Sequence, residues 1–300
     1  MRKNNILLLI EKIINLNKLQ KNFIRQSFKD ISKNDLKYFY NYIKYCISSG
    51  ISLDYLAESY DLIVKDTLRE QIYFMRNKKY RYTTYKEVTS SVYWNSDYMK
   101  KYMYGLIISN FLWPNHKYIH NWFLKELPKD KKGSYLEIGP GHGYFFITSL
   151  LKSKYTNFHA IDISPTSIKL TRNFLEYYHR SINLSKYKLI NGDFLKYNTE
   201  SVYDAIVMGE VLEHVENPKL FIEKICNISN EKSFIFITTC INSPAIDHIY
   251  LFDTISSVRN LFEGSGLKIT NEIILPYINH SIEESIEKML PINIGLILTK

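Results

Sequence analysis

Cysteine is scarce in this chain: three residues in 300, at Cys46, Cys226 and Cys240, with no Cys-x-x-Cys spacing. They read as reduced packing residues, which points to a cytoplasmic protein without a disulfide framework. Long apolar runs are also missing. The stretch Ile6 to Ile10 ends at Glu11 and Lys12, too short for a signal peptide. No segment reaches the ~18 apolar residues of a membrane span, so no membrane partner is expected. Repeats of fixed length are absent. Glycine is rare too, 11 in all, yet three fall between positions 139 and 143.

Lysine and arginine are plentiful. The net charge is +9 and the pI about 9.1, which raises the prospect of an anionic partner such as a nucleic acid. The basic residues are dispersed, however. The densest runs, Arg76-Asn77-Lys78-Lys79-Tyr80-Arg81 and Lys129-Asp130-Lys131-Lys132, read as exposed connectors. The 25 tyrosines are equally spread. Hydrophobic residues at 45% and charged residues at 23% fit a globular chain with a sizeable core.

The pattern changes near residue 130. Before it the apolar spacing is helical: residues 6–28, 35–48 and 53–75, then from about Asp97 to Trp113-Pro114, and again from about Asn115. Residues 1–129 are therefore expected to form an all-helical cap that shapes the substrate region. Tyr98, Tyr102, Tyr104, Trp113 and His116 are candidates to line it. After residue 130 strands and helices alternate. Strands are expected at 134–138, 156–162, 186–190, 203–208, 233–239, 267–274 and 292–299, and helices at 143–153, 165–181, 217–229 and 254–264. Such alternation predicts an α/β fold with a doubly wound, mostly parallel seven-stranded sheet over 130–300. Its last two strands should form a hairpin across a long loop, Pro276 to Pro291.

The chemistry begins at Leu136-Glu137-Ile138-Gly139-Pro140-Gly141-His142-Gly143. An apolar strand ends on an acid, and a glycine turn then leads into a helix. Such a turn lets backbone approach a ligand and aims helix N-terminal N–H groups at it. About twenty residues later, Asp162-Ile163 ends the second strand, where an acid can take both ribose hydroxyls of an adenosine. Asn191-Gly192-Asp193-Phe194 follows the third strand. There an acid can accept an adenine amino group while the ring packs on the base.

Taken in order, these segments resemble the class I S-adenosylmethionine-dependent methyltransferases. The glycine segment is similar to that family's first motif, Asp162 to its ribose acid and Asn191 to Phe194 to its adenine motif. Tyr203-Asp204-Ala205-Ile206-Val207 is similar to the fourth-strand motif. The resemblance covers 130–300 and implies a Rossmann-like methyltransferase fold that binds S-adenosylmethionine. It assigns Glu137, Gly139, Gly141, Gly143, Asp162, Ile163, Asp193 and Phe194 to the cofactor. The Gly139-x-Gly141-x-Gly143 spacing departs from the GxGxxG of nicotinamide enzymes.

Glu210, Glu213 and His214 stand at i, i+3 and i+4 after the fourth strand. On a helical turn they would share one face, a plausible set for a divalent metal. Alternatively His214 is a general base without metal. The ExxEH pattern is similar to the ubiquinone-biosynthesis O-methyltransferases and the small-RNA 2′-O-methyltransferases. In the latter a second histidine completes a metal site, and His248 occupies the matching region here. The resemblance therefore implies methyl transfer to a small-molecule acceptor, through a hydroxyl. The alternatives are an RNA 2′-O-methyltransferase and a noncatalytic RNA-associated module of the same fold.

Overall fold

A computed structural model describes residues 2–29, 31–179 and 186–300. Seven helices come first: α1 (Arg2–Leu16), α2 (Gln20–Ser27), α3 (Lys33–Ser48), α4 (Leu53–Asn77), α5 (Tyr85–Val88), α6 (Ser96–Leu112) and α7 (Pro114–Glu126). The expected single helix over 6–28 is two helices, because Asn17 accepts the N–H of Leu19 on its side chain and turns the chain. Starts are set by side-chain caps: Ser32 and Asp35 form a reciprocal capping box on α3, and Asn95 accepts the Tyr98 N–H on α6. Pro114 opens α7 at the first helical position. A π-helical turn, Thr89–Tyr93, links α5 to α6.

Gly105 lets α6 lie directly on α4. A Cβ there would meet the Ser59 carbonyl oxygen at 2.3 Å. The basic connector 76–81 is exposed at Arg76, Asn77, Lys78, Lys79 and Arg81, as expected, and is tethered by the buried Tyr80 and by Arg81, which pairs with Glu70 at 2.9 Å.

The remainder is β1 (Ser134–Ile138), α8 (Tyr144–Lys152), β2 (Asn157–Asp162), α9 (Pro165–His179), β3 (Lys186–Asn191), β4 (Ala205–Gly209), α10 (Pro218–Asn227), β5 (Phe234–Ile241), α11 (Ile255–Glu263), β6 (Lys268–Leu275), α12 (Ile282–Glu287) and β7 (Ile292–Thr299). Residues 180 and 181 of the expected helix 165–181 lie outside the described residues. The seven strands run in the order β3-β2-β1-β4-β5-β7-β6. All pairings are parallel except those of β7, which is antiparallel to both neighbours. The expected loop before β7 contains α12, capped by Ser281 and Glu284.

The period-2 alternation of the strands divides the core. Tyr135, Phe158, Ala160, Val207 and Phe236 face one side, where they join side chains of α1, α3, α4, α6 and α7 in one continuous cluster. Leu136, Ile138, Ile206, Met208, Ile235 and Ile237 face the other, against α10 and α11. The N-terminal helices therefore share a core with the sheet. The strand order reverses between β1 and β4, which opens a crevice at their carboxyl ends.

Candidate active site

A cavity of about 680 Å³ occupies that crevice, within the usual ~300–1,000 Å³ of small-molecule sites. Its floor is the glycine turn. Gly139, Gly141 and Gly143 all have positive φ, at 67°, 55° and 80°. A Cβ on Gly139 would come within 2.6 Å of Val211, and one on Gly143 within 3.1 Å of the Thr171 Cα. Glycine is thus required by both conformation and space. Below the turn Glu137 is 3% exposed, and its carboxylate accepts the Tyr135 hydroxyl at 2.6 Å. Burial pushes its pKa up to about 8.

Asp162 ends β2 beside the turn. One carboxylate oxygen accepts the Gly141 N–H at 3.1 Å and the other the Ser164 N–H at 2.8 Å. Burial raises its pKa to about 6. Each oxygen keeps a further lone pair for a hydroxyl donor. Asp193 caps a short 3₁₀ turn, Phe194–Lys196, by accepting the Leu195 N–H. Lys224 holds that turn by donating to the carbonyls of Phe194, Leu195 and Tyr197. Phe194 is buried and packs on Phe221 with ring centroids 5.4 Å apart. Glu137, Gly139, Gly141, Asp162, Ile163, Asp193 and Phe194 all line the cavity, while Gly143 stands one turn behind it as the N-cap of α8.

Past β4 the structure departs from the helical reading. Glu210 has φ +52°, and only Leu212–His214 forms a single 3₁₀ turn. The three side chains are therefore placed by a 3₁₀ turn and not by an α-helical face, although the Glu210 and Glu213 carboxyls remain hydrogen-bonded neighbours. The fully buried Glu213 turns inward and accepts the Thr239 hydroxyl at 2.9 Å. His214 faces the cavity instead. Burial, and then the neighbouring Glu210, holds the Glu213 carboxyl well above the usual range, and burial raises Glu210 as well.

The four expected metal ligands do not meet at one point. Among the described residues, His248 groups with Glu213 and Cys240, and separately with His214 and Asp247. The His248 Nδ1 donates to the Ser243 carbonyl at 2.6 Å, and burial lowers its pKa to about 3, so it is a neutral ring.

Sequence reasoning missed Asp247, Tyr93 and Glu216. Asp247 is buried and accepts hydroxyls from Tyr102 at 3.1 Å and Tyr93 at 3.3 Å, one on each oxygen. Glu216 accepts the Tyr85 N–H at 2.8 Å, and Tyr80 accepts the Ser243 N–H at 3.2 Å. Residues 80–93 thus strap the helical region to the loops after β4 and β5. A tyrosine-to-aspartate contact across some 150 positions leaves no local signal in sequence. Of the expected cap residues, Tyr102, Trp113 and His116 line the cavity; Tyr98 and Tyr104 do not appear on its wall.

The lining is rich in acids, of which Glu137, Asp162 and Glu210 have their pKa values raised by burial. Glu137, Asp162, Asp193, Glu210, Glu216 and Asp247 reach the cavity against one lysine, Lys196, although the chain as a whole carries +9. No described helix is long and apolar enough to cross a membrane.

A family model described as a methyltransferase domain matches residues 115–272. The chain is 30% identical to (S)-tetrahydroprotoberberine N-methyltransferase of Eschscholzia californica over 34% of its own length and 28% of the relative's. It is 31% identical to EEF1A lysine methyltransferase 2 of Mus musculus over 47% of its length and 58% of the relative's. It therefore spans well under two thirds of these curated relatives. Among solved structures, mitomycin 7-O-methyltransferase superposes with a TM-score of 0.54 at 11% identity, over 83% of this chain and 70% of that one, a likeness of fold. Because the family model covers more than half of the 300 residues, and the sheet order and crevice agree with it, the chain belongs to the class I S-adenosylmethionine-dependent methyltransferases.

Proposed function

We propose that this protein transfers the methyl group of S-adenosylmethionine to a small acceptor enclosed in the crevice, with His214 taking the acceptor's proton. The observation that carries this reading is a single cavity. It runs from the glycine turn, past Asp162 and Asp193, to His214, and the N-terminal helices wall its far side. The residues fit the donor. A Cβ on Gly139 would strike Val211 and one on Gly143 would strike Thr171, Asp162 has lone pairs free for ribose hydroxyls, and Asp193 and Phe194 are suited to an adenine.

When bound, S-adenosylmethionine supplies a methyl carbon made electrophilic by its sulfonium. The chain's part is to orient and to remove a proton. In this reading Gly139 and Gly141 bring backbone to the methionine half, and Glu137 balances its ammonium from below. Ile163 flanks the ribose beside Asp162. Asp162 is tied to the turn through the Gly141 N–H, so ribose binding and turn geometry are coupled. The helices on the far side, through Met99, Met103, Leu106 and Ile119, exclude water. His214 accepts the proton. No step is routed through a metal. Among the described residues His248 groups with Glu213 and, separately, with His214, and Glu210 and Glu213 each keep one buried carboxylate oxygen without a hydrogen-bond partner, so the chelator arm of the test below decides whether these residues hold an ion.

The ExxEH likeness to O-methyltransferases supports a hydroxyl acceptor. A second reading, an amine, is favoured by the charge of the wall: Glu210 and Asp247 line the His214 end and no lysine or arginine does. The same charge opposes a polyanion and so weighs against RNA. The relatives named above act on an alkaloid nitrogen and a lysine by their names, which agrees with the amine.

The test is transfer of tritiated methyl from S-adenosylmethionine to cell metabolites separated by charge, with total RNA and total protein in parallel, with and without a chelator. Label in a small neutral or cationic fraction, unchanged by chelator and lost in Asp162→Ala, is expected. Label confined to RNA or protein, or dependent on metal, would overturn the reading.

A further inference from the structure

We infer that the N-terminal helical region completes the proton-accepting group of the active site: Tyr93 and Tyr102 fix Asp247, and Asp247 holds His214 with its Nδ1 protonated and its Nε2 free. This rests on the proposal that His214 is the base.

The geometry comes from four segments that meet at one point. His214 closes the 3₁₀ turn after β4. Its Nδ1 lies 3.1 Å from the Asp247 carbonyl oxygen and 3.3 Å from its carboxylate. Asp247 belongs to the loop after β5 and is 2% exposed. Tyr102 comes from α6 and Tyr93 from the end of the π-helical turn. A π-helical turn is rare and recurs at functional sites.

Proton placement follows from the donor count. A buried carboxylate has only acceptor atoms, and each Asp247 oxygen takes one tyrosine hydroxyl. Burial, and then the Asp247 charge, raises both phenols well above 10, so they remain donors. The Tyr93 oxygen also lies 3.3 Å from the His214 Nδ1, as far as from the Asp247 carboxylate, and it can accept from Nδ1 while donating to Asp247; the nearer Asp247 carbonyl, 3.1 Å away, can only accept. Around Nδ1 there remain only acceptors, so Nδ1 carries the hydrogen and Nε2 the lone pair. Among the described residues the ring also meets His248, 4.6 Å away edge to face and neutral, and the Glu210 and Asp162 carboxyls act on it electrostatically. Both tyrosine rings are themselves held: Tyr93 stacks on Tyr85 at 5.7 Å and Tyr102 on Tyr98 at 5.8 Å.

Asp247, Tyr93 and Tyr102 also line the cavity, but their part in the proton transfer is to position His214, which takes the proton. With Nδ1–H already committed, the proton from the acceptor's O–H or N–H goes to Nε2. The imidazolium so formed is stabilised by the Asp247 carboxylate, and the acceptor keeps the electron pair that bonds the methyl carbon as the carbon–sulfur bond breaks.

The test needs no acceptor in its first arm. The full chain is labelled with ¹⁵N-histidine and saturated with S-adenosylhomocysteine, and the His214 ring signals are assigned by their loss in His214→Gln. The expected spectrum, at a pH where the ring is in its neutral form, has Nδ1 protonated and Nε2 unprotonated. Nε2–H as the main tautomer would overturn the inference. In the second arm Asp247→Asn should lose that tautomer preference. Tyr93→Phe and Tyr102→Phe should weaken it while leaving S-adenosylhomocysteine affinity within about twofold, as expected for groups outside the donor pocket. Methyl transfer to the acceptor found in the tritium screen should fall roughly 100-fold or more in kcat for Asp247→Asn and roughly 5-fold for each phenylalanine variant. Equal tautomer and kcat in both phenylalanine variants and wild type would remove the helical region from the base. If Asp247→Asn does not fold, Asp247→Glu serves, with partial recovery of both readouts expected. The two readings fail separately. Full kcat in His214→Gln with the expected tautomer in wild type sinks the base alone, whereas loss of kcat with the Nε2–H tautomer sinks the positioning network alone.

Discussion

Glu137 offers a quantitative check on the donor pocket. Its carboxyl is 3% exposed, accepts the Tyr135 hydroxyl and has a pKa of about 8 through burial. At about pH 7 only roughly one such group in ten is ionised. A ligand ammonium that relies on the carboxylate must first displace the proton, which costs roughly 1.4 kcal/mol at that pH. The cost falls as pH rises. Between about pH 6 and pH 7.5 the ionised fraction grows roughly 25-fold, equivalent to about 2 kcal/mol of binding free energy. Asp162, at about 6, adds roughly twofold over the same range. The upper limit is chosen to stay below the ~7.7–8.0 pKa of an α-amino group, so that the ligand remains an ammonium. Calorimetric titration with S-adenosylhomocysteine should therefore show affinity rising close to tenfold per pH unit. In Glu137→Gln the rise should shrink to the small Asp162 contribution. A flat wild-type profile, or the same slope in Glu137→Gln, would refute the role given to Glu137.

Two further outcomes test the frame around the pocket. Gly143→Ala adds a side chain at φ +80° against Thr171, whose Cα stands 3.1 Å from the new Cβ. Left-handed backbone costs an alanine roughly 1–2 kcal/mol and overpacking another ~1–3. Urea unfolding should show a loss of that size together with weaker S-adenosylhomocysteine binding, and an unchanged midpoint would refute it. His120 is buried and stacked on Tyr144 at 4.2 Å, with its pKa lowered to about 3 by burial. Its folded pKa lies below the unfolded ~6.5, so the unfolded chain binds the extra proton, and the stability that the neutral ring provides is present above ~6.5 and lost as pH falls. The raised carboxyls Glu137 and Glu213 act in the opposite sense, so the informative quantity is a difference between variants. Compared at about pH 7 and about pH 5, the stability deficit of His120→Gln should shrink by roughly 2 kcal/mol; a constant deficit would refute the assignment.

What could be read from sequence was what local backbone demands. The strand periods, the three glycines and the acids at strand ends are local statements, and the strands fall within two residues of expectation. Errors arose where a pattern had two backbone solutions. The helical spacing over 6–28 includes Leu16 and Leu19, yet they are 50% and 85% exposed at the break between α1 and α2. The loop before β7 hid α12 although its capping pair, Ser281 and Glu284, stood in plain sequence. Glu210, Glu213 and His214 have helix spacing, but the left-handed residue at 210 spends that spacing on a turn.

The two halves of the crevice differ in kind. The donor half is set by backbone: positive φ at the glycines and N–H groups aimed along strand ends, all within short stretches of chain. The acceptor half is set by side chains that meet across 145 and 154 positions, from Tyr102 and Tyr93 to Asp247. No periodicity encodes such a contact, and among 25 tyrosines no single one stands out. The same separation allows independent change. In the proposed reading, substitution at Tyr93 or Tyr102 alters the wall at His214 and leaves the glycine turn alone, whereas other α6 positions reach that turn, Asn110 bonding His142 at 3.2 Å and Met103 lying against Gly141. Donor affinity and acceptor turnover should therefore respond to different residues, with Asp162 and Glu137 governing the first and Tyr93, Tyr102 and Asp247 the second.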